Sequence, residues 1–113
     1  MLDIKLLRIG RHFRLPSGAK VIVGRDEEEN RLLLNSRRDG DLIFEVVDFV
    51  GPVTVLRKSK KPIDGEDIQT AAALCVRYSD YKNPEPAAVS AGESETVWAA
   101  PLADELVAHL RIV

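Results

Sequence analysis

The sequence predicts an α+β domain: a mainly antiparallel sheet with helices packed on one face, in the order β-β-α-β-β-α-β-β-α. Three observations carry this prediction. Short β-branched or aromatic runs come in neighbouring pairs, such as Leu42-Ile43-Phe44 and Val53-Thr54-Val55. Brief Gly- or Pro-bearing segments join the members of each pair, as antiparallel neighbours require. Two longer stretches between the pairs carry helical periodicity instead.

The elements follow in order. Ile4 to Ile9 is apolar enough for a strand, and Gly10 interrupts it. His12-Phe13-Arg14-Leu15 alternates, which points Phe13 and Leu15 inward and His12 and Arg14 to the other side. Pro16-Ser17-Gly18 is a turn, and Lys20 to Val23 is the returning strand of a hairpin. Gly24 permits a sharp bend before Asp26, an N-cap residue with Glu29 three positions later, and a helix follows through Leu32-Leu33-Leu34. Arg37-Arg38-Asp39-Gly40 ends that helix.

Asp41 to Phe49 reads as a mostly buried strand, Gly51-Pro52 as its turn, and Val53 to Leu56 as the next strand. From Asp64 the pattern is helical again: Ile68, Ala71 or Ala72, Cys75 and Tyr78 share a face, and Asp64 or Asp67 caps the start. Asn83-Pro84-Glu85-Pro86 stops the helix. Ala87 to Ser90 and Thr96 to Ala100 form a second hairpin around Gly92-Glu93-Ser94-Glu95, and Ala103 to Leu110 a short last helix.

Composition bounds the function. At 113 residues, 45% apolar and 30% charged, the chain is expected to form one soluble domain over 1–113. A net charge of −2 supplies no global field for nucleic acid, so any such contact must come from a local patch. The lone Cys75 excludes an internal disulfide framework and a multi-cysteine zinc site. With no signal peptide, and no apolar run near the ~20 residues of a membrane span, the expected location is cytoplasmic and no membrane partner is predicted.

No catalytic set assembles from these residues, and neither a metal nor a cofactor is predicted. Cys75 falls on the apolar stripe of an Ala-rich helix, the place of a core cysteine. His12 and His109 are far apart, with no carboxylate at ligand spacing, and read as surface histidines. Glu27-Glu28-Glu29 point in different directions on a helix and suit its positive N-terminus better than a metal.

The basic residues are the functional candidates. A buried strand that runs straight into a capped helix aims backbone N–H groups and the Arg25 side chain at one spot, which suits an anion. The alternative is that Gly24 and Asp26 only turn the chain. Arg11, Arg14, Lys20 and Arg25 surround this hairpin and its exit, while Arg57, Lys58, Lys60 and Lys61 put four cations into five residues after a neighbouring strand. On one shared face the two sets would track a phosphate backbone. Otherwise the second set is a solvated loop.

The series Arg14-x-x-x-Gly18-x-x-Val21-x-Val23-Gly24-Arg25-Asp26-x-x-x-Asn30 resembles the opening motif of the NFACT-R domain, found at the end of the large ribosome-quality-control proteins. The resemblance continues through Asp41-Leu42, Asp48, Gly51, Val55, Arg57 and Ala71-Ala72-x-Leu74-x-x-x-Tyr78-Ser79, and covers roughly residues 10 to 90. The large proteins carry a tryptophan and two histidines where this chain has Ile43, Glu45 and Val53, and a serine where it has Pro52. The chain is therefore more similar to the shorter version appended to some bacterial tRNA 2-thiouridine synthases. The resemblance implies a non-catalytic RNA-binding accessory module. Its partner would be RNA, in particular tRNA, together with a tRNA 2-thiouridine synthase; DNA is not expected. The motif puts Arg14, Gly24, Arg25, Asn30 and Arg57 in the expected contact, and their charge alone adds Arg11, Lys20, Lys58, Lys60 and Lys61. An adaptor that docks on a tRNA-modifying enzyme through a strand edge or Trp98 is the alternative.

Overall fold

The computed structural model describes residues 9 to 112. The strand expected over Ile4 to Ile9 lies, apart from Ile9, outside them. Within them six strands form one antiparallel sheet: β1 (Arg11–Arg14), β2 (Lys20–Val23), β3 (Leu42–Val46), β4 (Thr54–Arg57), β5 (Ala87–Ala91) and β6 (Glu95–Ala99). Among the described residues three helices accompany them: α1 (Glu27–Asn35), α2 (Gly65–Arg77) and α3 (Asp104–Leu110). The α+β class and the order of elements are as the sequence predicts.

Strand order across the sheet is β1-β2-β4-β3-β5-β6. The β3–β4 hairpin is thus inserted with its second strand beside β2. This order corrects the expectation that the helices share one face. β2 and β3 run in the same direction with β4 between them, and β4 and β5 do so with β3 between them. Both connections move the same way across the sheet but leave from oppositely directed strands. Right-handed crossovers then place their helices on opposite faces.

Burial shows the result. The larger core lies between the sheet and α2 and α3, where Phe13, Val21, Phe44, Leu56 and Val89 meet Ala72, Cys75, Val76 and Val107. On the other face Leu33 of α1 packs with Ile22, Val53 and Val55. His12 is consequently 0% exposed, where the alternating pattern placed a surface histidine. Its Nε2 lies 2.9 Å from the Ile9 carbonyl.

Local chemistry ties the ends of the elements. The Asp64 carboxylate accepts from the Asp67 amide at 2.8 Å while the Asp67 carboxylate accepts from the Asp64 amide, a reciprocal cap at the start of α2. Asp67 also accepts from the Ser17 hydroxyl at 2.7 Å, which fastens the β1–β2 turn to α2. After α3 the backbone pairs with β1, the Ile112 amide donating to the His12 carbonyl at 2.9 Å. Among the described residues no helix is long and apolar enough to cross a membrane.

Candidate nucleic-acid interface

The β2–α1 junction is built on a buried clamp. The Gly24 amide donates to the Val53 carbonyl at 3.0 Å, and the Val53 amide donates to Asn30 Oδ1 at 3.0 Å. Because the partner is an N–H donor, the Asn30 atom that faces it must be the carbonyl oxygen. A β-carbon on Gly24 would lie 2.0 Å from that oxygen. Gly24 and Asn30 therefore join β2, α1 and the start of β4, an internal role for two residues that the resemblance placed at the RNA contact.

Arg25 leaves this junction half-exposed and gripped by its own helix. Its Nε and Nη2 donate to the Glu29 carboxylate at 2.9 and 2.6 Å, and its amide donates to the same carboxylate at 3.0 Å. Asp26 caps α1 by accepting from the Glu29 amide at 2.8 Å. Hydrogen bonding from the Arg25 side chain is the main cause that holds the Glu29 carboxyl down to about 2, from an ordinary 4.5, and the Arg25 value is raised in return. A carboxyl lowered on folding stabilises the fold above its unfolded value, and that contribution is lost as pH falls through the folded one. Glu29→Gln should therefore melt below the wild type at neutral pH, with the gap closing between about pH 4.5 and about 2. A constant gap across that range, followed by circular dichroism, would refute the pairing.

Around the clamp lies a cleft of ≈ 280 Å³. Arg11, Gly24, Arg25 and Asn30 line it, as do Val50, Pro52, Tyr78 and Asp80 from the β3–β4 connection and the end of α2. The Arg11 guanidinium lies 4.4 Å from the Tyr78 ring centroid, within cation–π range. In the sequence Tyr78 reads as part of the helix face and of the motif, and as one of the few aromatic side chains able to stack on a base. Asp80 and Val50 had no signal, because nothing local brings them to this junction.

The remaining basic candidates sit elsewhere. Arg14 is directly opposite Lys20, and Lys20 opposite Arg57, so these side chains form one row on the α1 face. That row is three residues, about 10 Å, along β1 from Arg11. Arg14 donates to the Gly18 carbonyl at 3.0 Å across its own hairpin. Arg57 is largely buried and makes a two-pronged contact with Asp41, its Nη2 2.7 Å from Oδ2 and its Nε 3.1 Å from Oδ1. The Asp41 carboxylate also accepts from the Arg38 amide at 2.8 Å. Lys58, Lys60 and Lys61 are exposed beyond this pair, beside the β1–β2 turn, where Ser59 approaches Ser17 and Gly18. The candidates thus fall into two groups, one at the cleft and one at the far end of the hairpin.

Other chemistry is muted. Cys75 is buried, its thiol 3.5 Å from the Pro52 carbonyl, and burial pushes its ionisation up to about 11, against the thiolate that nucleophilic chemistry needs. Among the described residues no three His, Cys, Asp or Glu side chains group as metal ligands. Of the positions where the large quality-control proteins carry aromatic or imidazole side chains, Val53 is buried against α1, while Ile43 and Glu45 line a second cleft, of ≈ 490 Å³, beside Arg37 and Arg38.

Fold and site together define a small antiparallel α+β domain with a mixed-charge cleft at a strand-to-helix junction and a cationic row at the opposite end of its first hairpin. Residues 10–109 match the model of the NFACT protein RNA binding domain, and the chain belongs to that family. A similar solved structure is the C-terminal part of the fibronectin/fibrinogen-binding protein from Streptococcus suis, with a TM-score of 0.81 and 17% identity over 92% of this chain. The match covers 49% of that structure's chain, so this chain spans about half its length, and at that identity the likeness shows the fold alone. No curated protein matches the sequence.

Proposed function

We propose that this domain is a non-catalytic RNA-binding module for tRNA, acting in the cytoplasm beside a tRNA 2-thiouridine synthase or another translation-associated machine. The observation that carries the proposal is the gathering of Arg14, Lys20, Lys58, Lys60 and Lys61 at one end of the sheet. It occurs in a member of an RNA-binding-domain family whose net charge is −2. Such a patch neutralises backbone phosphates and releases counterions, so affinity must fall steeply with salt.

Bulk tRNA titrated at two salt concentrations tests this. Binding with a dissociation constant of about 1–100 μM is expected at moderate salt, tighter at low salt. Replacing Lys58, Lys60 and Lys61 together by Ala should flatten the dependence of log affinity on log salt by about one unit for each phosphate that a lysine had neutralised. An absence of binding at low salt sinks the proposal. The adaptor reading would then take over, on one observation: Trp98 is 63% exposed on the edge strand β6, on a part of the sheet that α1 does not cover.

A further inference from the structure

The cleft at the β2–α1 junction carries chemistry that phosphate contacts alone would not use. Arg11 forms no ion pair among the described residues, and its guanidinium is backed by the Tyr78 ring. A planar cation held in this way offers a flat face on which a nucleobase stacks. Val50, 76% exposed, and Pro52 supply an apolar wall. Three carboxylates, Asp26, Glu27 and Asp80, also line the cleft, and they would repel a bare phosphate. They are, however, acceptors for the amino group of a base. Asp26 is already engaged by the helix cap, whereas the Asp80 side chain has no hydrogen bond or ion pair among the described residues. The backbone of Asp80 is fixed, its amide donating to the Val50 carbonyl at 2.8 Å. A volume of ≈ 280 Å³ is at the small end for ligand sites and suits a single nucleotide, not a duplex.

Resting on the RNA reading above, we infer that this cleft takes one unstacked nucleotide of single-stranded RNA whose base carries an exocyclic amino group. The base stacks on the Arg11 guanidinium, and Asp80 accepts from its amino group.

Oligocytidylate and oligouridylate of equal length test the inference, because their bases differ chiefly in an amino group against a carbonyl at one ring position. By fluorescence anisotropy at low salt, the cytidine strand should bind about tenfold tighter. Asp80→Asn should abolish that preference, since an amide can serve either base. Arg11→Lys, which keeps the charge and loses the plane, should weaken both strands while the thermal melt stays that of the wild type. Equal binding of the two strands, or a preference that survives Asp80→Asn, overturns the inference. Bulk tRNA measured alongside separates the two readings. Binding of tRNA without a cytidine preference defeats the cleft alone, and failure of every RNA to bind defeats both. A preference without tRNA binding keeps the cleft and removes the tRNA assignment.

Discussion

Asp41→Asn should destabilise the domain by about 3–5 kcal/mol, the range for an ion removed from a buried pair. The Asp41 side chain is 2% exposed and its partner Arg57 14%, so water can replace little of what the carboxylate supplies. Two nitrogens of Arg57 and the amide of Arg38 converge on that carboxylate. Neutralising it leaves a guanidinium desolvated without its counter-charge. The pair as a whole is a different matter, because desolvation cancels much of its attraction. The double variant Asp41→Leu with Arg57→Met should therefore recover most of the loss. Urea denaturation of the single and double variants measures both effects, and an unchanged midpoint for Asp41→Asn would refute the buried pair. The double variant also asks whether Arg57 touches RNA, since unchanged tRNA affinity would confine Arg57 to a structural role.

Gly24→Ala is expected to cost about 2–4 kcal/mol, a steric clash combined with an orphaned donor. The added methyl would sit 2.0 Å from Asn30 Oδ1, which must move, and the amide of Val53, a residue only 4% exposed, then loses its acceptor. Gly24 has no positive φ, so the cost comes from contact and not from backbone strain. That origin makes a sharp test. Asn30→Ala removes the colliding atom and by itself costs about 1–3 kcal/mol through the unpaired Val53 amide. Combined with Gly24→Ala it should cost little more, so the two changes should be strongly non-additive. Simple addition in chemical denaturation would show that Gly24 is required for another reason.

These two sites show how unevenly the sequence reports on the molecule. The clamp residues Gly24 and Asn30 were legible as special positions, through the break after a β-branched strand and through the family motif. Their partner, the Val53 backbone, was not, because it arrives from a strand 23 residues further on. Arg57 read as one cation of a basic run, but Asp41, 16 residues earlier, makes it part of the interior. His12 misled for a related reason. Alternation marks the two sides of a strand, and a polar residue implies the wet side only when one face is covered. Here α1 covers the second face.

By itself the sequence determined the elements and where the first two helices start: the β-branched strands, the two hairpin turns, the cap at Asp26 and, as one of two candidates with Asp67, the cap at Asp64; β3, α1 and α2 end earlier than the sequence predicts, at Val46, Asn35 and Arg77. These depend on forces that act within a few residues, namely side-chain shape, backbone φ and the capping of unsatisfied amides. Only the tertiary structure decided the strand order β1-β2-β4-β3-β5-β6. That order set α1 and α2 on opposite faces, buried His12, and assembled the cleft from residues near 11, 25, 51 and 79. Pairing of distant strands is chosen by the burial of whole faces against one another, a sum over the entire chain that no local pattern contains.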